Sequence, residues 1–252
     1  MSFEVAADAY QQFMGRYSDQ LAVAFADLAG VVSGQRALDV GCGPGALTAE
    51  LVRRLGSDAV SAAEPSASFA AAARLRLPGV DIRQASAERL PFADGMVDVA
   101  LAQLVVHFMT DPIAGLREMS RVTAAGGTVA ACVWDHRGGR GPVGPFWRAA
   151  RELDSAVDDE SGLPGAREGD LARLFTEAGV ADVQSSTLSV TGHYDSFEEW
   201  WKPYTTGVGP AGAYVATLTD EHRTALRDRC RHLYPTAPFT ITATTWAVTG
   251  RA

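Results

Sequence analysis

The chain has 252 residues, 47% of them hydrophobic, with a mean hydropathy close to zero, enough apolar material for one large domain or a domain with a sizeable insertion. Its formal net charge is -8 at pH 7 and its lysines and arginines form no basic run, which argues against a nucleic-acid or anionic-membrane partner. Cys42, Cys132 and Cys230 stand far apart with no CxxC, a pattern of reduced thiols rather than of a disulfide or zinc framework. The first residues, "MSFEVAADAYQQFMGRYSDQ", lack the basic start and apolar core of a signal peptide, and no apolar run is long enough to span a bilayer, so a cytoplasmic location is expected.

Residues 5–30 are expected to be helical. Ala6, Tyr10, Phe13, Met14 and Tyr17 fall on helical spacing, and Leu21, Phe25 and Leu28 continue it. "ALDV" (37–40) reads as a short strand, followed by an amphipathic helix through Leu47, Leu51, Val52 and Leu55 that stops at Gly56. "AVSAAE" (59–64) is a second strand, "SFAAAARLRL" a second helix ended by Pro78-Gly79, and "VDIRQ" a third strand. "VDVALAQL" (97–104) is an apolar fourth strand. Ile113, Leu116, Met119 and Val122 mark a helix that Gly126-Gly127 is expected to close, and "TVAACVW" (128–134) is a fifth strand. Strands apolar on both faces and alternating with helices imply a parallel sheet in a layered α/β domain.

Beyond Trp134 the pattern changes. A Gly-rich loop (135–145) leads to a helix from Phe146, an acidic loop, a short amphipathic helix over 169–179 and the strand "VQSSTLSVTGHY". Residues 195–238 are mostly helical and rich in aromatics. "FTITATTWAV" (239–248) then alternates strictly, as a strand does. The expected organisation is a core over 1–194 that includes an N-terminal helical lid, a helical cap over 195–238, and a final core strand over 239–252. The last two strands form a broad hairpin with the cap inserted between them.

The sequence Gly41-Cys42-Gly43-Pro44-Gly45 follows the first strand and opens a helix. In an open α/β sheet this is where ligands bind: glycines let backbone approach closely, and the helix N-terminus offers free N–H groups. Alone, such a turn serves equally as a tight strand-to-helix connection. Glu64, however, ends the second strand about twenty residues on, where a carboxylate can accept both hydroxyls of a ribose. The spacing is G-x-G-x-G, not the dinucleotide G-x-G-x-x-G, and acidic Asp39 stands two residues ahead of it.

"LDVGCGPG" resembles the first motif of the class I S-adenosylmethionine-dependent methyltransferases. In order, "AAEPS" resembles their acidic second motif, "QASAERLPF" the adenine-binding loop, "DVALAQLVVHFMTDP" the fourth strand and following turn, and "REMSRVTAAGGTVA" the helix and glycine turn before the fifth strand. The likeness covers roughly residues 8–190, and the final strand fits it too. It implies a Rossmann-like, mostly parallel sheet of seven strands whose last strand is antiparallel, with S-adenosylmethionine as methyl donor. By position it implies that Asp39, Gly41, Gly43 and Gly45 bind the donor and that Glu64 holds the ribose. Ser86, Ala87 and Glu88 would flank adenine, Gln103 would lie beside the methionine end, and Tyr10, Arg16 and Tyr17 would fold over the donor. Many relatives carry Asp where Ser86 stands, which weakens that contact.

A methyl sulfonium is already activated, so the protein has mainly to align the reactants and exclude water; a base is needed only if the acceptor loses a proton. His107, just after the fourth strand, is the candidate base, with His136, His193 and His222 behind it. Phe13, His107, Asp135, Trp200, Trp201 and Tyr204 are candidates to line an acceptor pocket, and each aromatic serves equally well as cap core. No ligand spacing suggests a metal. The expected partner is a small, partly apolar methyl acceptor. The competing readings are a non-methylating binder of the same donor, a nicotinamide-dependent oxidoreductase, and a protein or nucleic-acid methyltransferase.

Overall fold

The computed structural model describes residues 7–207 and 209–252, with backbone only for residues 7–12. Helix α1 (Ala7–Leu28) leads into β1 (Ala37–Val40), α2 (Ala46–Leu55), β2 (Val60–Ala63), α3 (Ala67–Arg76), β3 (Asp81–Arg83) and β4 (Val97–Gln103). Next come α4 (Pro112–Val122), β5 (Thr123–Trp134), α5 (Gly144–Leu153), α6 (Asp170–Ala178) and β6 (Ala181–Tyr194). The cap helices α7 (Phe197–Trp201), α8 (Gly209–Thr217) and α9 (Asp220–Leu233) precede the final strand β7 (Phe239–Arg251). Among the described residues no helix is long and apolar enough to cross a membrane.

The seven strands form one sheet in the order β3-β2-β1-β4-β5-β7-β6. The first five are parallel, and β7 runs antiparallel to both β5 and β6. This is the expected Rossmann-like methyltransferase sheet with its terminal hairpin. The central strands β1, β2 and β4 are largely apolar runs because both faces are covered. Ala37, Val99, Leu101, Ala130 and Cys132 face α1, α2, α5 and the cap, whereas Leu38, Val40, Ala100, Ala102 and Ala131 face α4 and α6. Side-chain caps start the connecting helices: Ser66 accepts from Phe69 N ahead of α3, Asp111 from Ala114 N ahead of α4, and Thr219 from His222 N ahead of α9.

Two elements depart from the sequence reading. Helix α4 passes straight into β5, so Gly126 and Gly127 lie inside a long strand instead of closing the helix. The register slips between Val97 and Val99, and a Cβ on Gly127 would lie 2.6 Å from the Asp98 carbonyl oxygen, so the glycines serve a bulged strand. In the cap, Trp200 and Trp201 are both buried although adjacent. Helix α7 is so short that it is packed on two sides, with Trp201 against Phe146 of α5 and Trp200 against Tyr234 beyond α9.

Helix α1 seats on the hairpin through Tyr17, whose hydroxyl lies 3.0 Å from that of Tyr194 and whose ring lies against Gly192. A Cβ on Gly192 would come within 2.5 Å of that ring. Gly192→Ala is therefore expected to lose about 1–3 kcal/mol of stability by overpacking. Urea unfolding checks this, and an unchanged midpoint would contradict it.

Candidate functional site

The three glycines of the β1–α2 loop have positive φ, +73° at Gly41, +53° at Gly43 and +91° at Gly45, and each is needed for a different reason. A Cβ on Gly41 would lie 2.5 Å from the Val105 side chain, and one on Gly45 would lie 2.9 Å from Leu77. Nothing approaches the same point on Gly43 within 4 Å, so this residue presents bare backbone to open space. The loop hangs on the end of β2: Gly41 N and Cys42 N both donate to the Ala63 carbonyl.

The Glu64 carboxylate accepts from Gly43 N and from Ser66 N, each at 2.8 Å, and so joins the glycine loop to the start of α3. Burial pushes its pKa up and the two amides pull it back. Asp39 is wholly enclosed beneath the loop. Its Oδ2 accepts from Thr48 Oγ1 at 2.6 Å, and burial drives its pKa to about 7 against that bond. Its Oδ1 has no partner. At the end of β4, Gln103 donates from Nε2 to the Ser18 carbonyl at 3.1 Å and leaves Oε1 buried and unpartnered.

These groups line a cleft at the carboxyl ends of β1, β2 and β4, closed by Ser18 of α1 and by Phe69, Leu104, Val105 and Phe108. It holds about 760 Å³ of empty space including its mouth, the size of a small-ligand site. Its orphaned atoms, Asp39 Oδ1 and Gln103 Oε1, are acceptors. They suit a ligand that brings hydrogen-bond donors or positive charge.

A second hollow, of about 480 Å³, lies between the sheet, α1 and the cap. Phe13 and Met14 come from α1, Gly209–Ala211 from α8, and His107, Trp134, His136 and Glu160 from the core. It shares Leu104 and Phe108 with the first cleft. Leu104 holds φ at +63°, a conformation leucine seldom adopts, and its N–H donates to the Cys132 carbonyl. The His107 ring packs 3.9 Å from that of Phe108 and 5.6 Å from that of His136, centroid to centroid. His107 Nδ1 and His136 Nε2 are buried without a partner. Burial, and secondarily His136, hold the His107 pKa well below the usual range; burial takes His136 down to about 4.

The structure thus brings Asp39, Gly41, Gly43, Glu64 and Gln103 together around one cleft, and Phe13 and His107 around the adjoining hollow. Tyr10 falls among residues whose side chains lie outside the described ones. The other candidates are placed elsewhere. Arg16 lies over the Tyr194 ring, pairs with Glu199 at 2.7 Å and donates to the His193 carbonyl, joining α1 to the cap. Tyr17 is buried against Tyr194 and Trp134. Ser86 is exposed, Ala87 is buried in the core around α4, and Glu88 accepts from Thr110 N and Asp111 N, so none of the three lines the cleft. Gly45 reaches the cleft edge only as the left-handed residue preceding α2. Asp135 braces its own loop by accepting from Gly138 N and Arg140. Trp200, Trp201 and Tyr204 form the cap core, where Tyr204 stacks on Phe146 at 4.5 Å. His193 and His222 are exposed.

Glu160 is the lining residue that sequence reasoning missed. Asp158-Asp159-Glu160 reads as a solvated acidic turn, and no periodicity sets its last member apart. In the fold Glu160 is 7% exposed, and its Oε2 accepts from Trp147 Nε1 at 2.7 Å. Burial drives its carboxyl to about 7, against the pull of that hydrogen bond and with help from Asp159.

Comparison with known proteins agrees with this geometry. The family model described as "Methyltransferase domain" matches residues 38–131. An uncharacterized methyltransferase from Mycobacterium sp. (strain KMS) is 35% identical over 219 residues, covering 84% of this chain and 77% of that protein. A demethylmenaquinone methyltransferase from Paenarthrobacter aurescens is 32% identical over 181 residues, 65% of this chain and 69% of that protein. Among solved structures, the [4+2]-cyclase SpnF shares the fold with a TM-score of 0.55 at 20% identity, covering 92% of this chain and 80% of that one.

The burial of Glu160 has a consequence for stability. Its pKa in the fold, about 7, lies above its ordinary 4.5, so its contribution is fully present below the ordinary value and is lost as pH rises through about 7. Glu160→Gln keeps an acceptor for Trp147 without the charge. Its melting temperature relative to wild type is expected to be higher at pH 8 than at pH 5, and a difference independent of pH would contradict the burial of this carboxyl.

Proposed function

The chain belongs to the class I S-adenosylmethionine-dependent methyltransferases, and from that premise we propose that it methylates a small, partly apolar organic acceptor seated in the hollow between core and cap. The observation that carries this reading is that the two cavities lie side by side, with Leu104 and Phe108 in the walls of both. One cavity offers acceptor atoms and bare glycine backbone; the other is walled by Phe13, Trp134 and Val143 and holds a few buried polar groups. A donor and an acceptor placed in them meet at those two residues.

The donor's chemistry fits the cleft. Glu64 would hold the ribose hydroxyls with the lone pairs its two amide bonds leave free. Asp39 Oδ1 and Gln103 Oε1, orphaned and buried, suit the ammonium of the methionine end. Gly41 and Gly43 let the backbone approach, and Ser86, Ala87 and Glu88 would border adenine. When bound, S-adenosylmethionine supplies a methyl group already activated on a sulfonium. The protein's part is to orient the acceptor and keep water out, and the buried Leu104 and Trp134 wall the hollow for it. His107 remains neutral at physiological pH and offers Nδ1 as a hydrogen-bond partner for the acceptor.

Calorimetry with S-adenosylmethionine, S-adenosylhomocysteine and NAD tests the donor assignment. Binding of the adenosyl sulfur compounds and not of NAD is expected; NAD alone would overturn it. Glu64→Ala is expected to weaken S-adenosylhomocysteine binding by at least about 1.5 kcal/mol, the scale of lost charge-assisted hydrogen bonds. An unchanged affinity in a folded variant removes Glu64 from the site. His107→Ala is expected to lower turnover and leave S-adenosylhomocysteine affinity unchanged; full turnover across pH makes this histidine purely structural.

A further inference from the structure

The hollow beside the donor cleft has an unusual polar inventory. Among its described lining residues there is no lysine or arginine. Its titratable side chains are two imidazoles, each with an orphaned buried nitrogen, and one carboxyl. An anionic acceptor would enter with no cation to meet it and a carboxyl group to repel it. A neutral or cationic acceptor that donates a hydrogen bond finds partners already in place.

Glu160 is built to be that partner. The Trp147 indole N–H fixes Oε2, and Oε1 has no hydrogen bond among the described residues. The residue lies in a short turn (Glu160–Gly162) on the hollow's wall, and α5 holds that turn outside the lining, through Trp147 on Glu160 and Arg151 on Asp159. The charged side chain that acts on it is Asp159, itself paired with Arg151, and the titratable groups across the hollow are His107 and His136. Both imidazoles are poor proton holders near neutrality because burial depresses them, whereas burial raises the carboxyl to about 7, where a general base works best.

Resting on the methyltransferase reading above, we propose that Glu160 is the catalytic base of this enzyme and that its acceptors are hydroxyl or amine compounds, not carboxylates or phosphates. As the acceptor heteroatom attacks, its new bond to the methyl carbon forms, the carbon–sulfur bond breaks with its electron pair left on sulfur, and the proton on the heteroatom passes to Oε1 of Glu160. The sulfonium becomes a neutral thioether and the carboxylate a carboxylic acid, so charge balances without any further reactant.

The test uses the full chain with S-adenosylmethionine and size-matched phenols, benzylamines and benzoates. Calorimetric titration of S-adenosylhomocysteine into wild type, Glu160→Gln and Glu160→Asp runs beside it. Turnover is expected on phenols or benzylamines and not on benzoates. Glu160→Gln should lose about 100-fold in kcat, the lower end of what general-base catalysis contributes, and its kcat should lose the rise with pH around neutrality seen in wild type. Glu160→Asp should recover part of the rate, and all three proteins should bind S-adenosylhomocysteine within about twofold of one another, as a group outside the donor cleft requires. Preference for benzoates, or wild-type kcat and pH profile in Glu160→Gln, overturns the proposal and leaves the methyltransferase reading standing. So does a wild type that binds S-adenosylhomocysteine and turns over none of the three classes. A wild type that does not bind S-adenosylhomocysteine defeats both, and the calorimetry identifies that case.

Discussion

The site depends on one buried carboxylate. Glu64 accepts from the amides of Gly43 and Ser66, and so fixes the glycine loop against the end of β2 and the start of α3. Such bonds to an ionised group are stronger than neutral ones, and here they satisfy one amide on each of two neighbouring strand-to-helix turns. Asp39 does similar work one layer down, where its bond with Thr48 joins β1 to α2. The glycine loop is thereby held open from behind. Its inner side is satisfied by protein, and its outer side at Gly43 faces space.

From this frame the second cavity follows. Strand β4 delivers Gln103 to the first cleft, and its continuation delivers His107 to the second, with left-handed Leu104 between them. The roof comes from elements far away in sequence. Tyr17 and Arg16 seat α1 on β6 and α7, and the stacked rings of Phe146 and Tyr204 seat the cap on α5. Their part is architectural: they position Phe13, Met14 and Pro210 over the hollow. A family relationship identifies methyl transfer, whereas the residues of this roof lie mostly outside the matched stretch at 38–131.

What the sequence made legible is local. The central strands β1, β2 and β4 are short, largely apolar runs buried on both faces, and the glycine loop with Glu64 sits where strand ends in an α/β sheet must bind. What it hid depends on tertiary partners. Nothing near Arg16 announces Glu199, nor does the run of three acids ending at Glu160 announce the indole of Trp147. Gly126-Gly127 read as a helix stop, because a bulge opposite Asp98 and a helix-closing turn make the same demand for residues without a side chain.

The central claim is that donor and acceptor cavities meet at Leu104 and Phe108. A crystal structure with S-adenosylhomocysteine tests it most directly. The account predicts the ribose hydroxyls on Glu64 and the thioether sulfur turned toward the hollow that contains His107, His136 and Glu160. A ligand in the cleft with its sulfur pointing away from that hollow, or one bound elsewhere on the sheet, would contradict it.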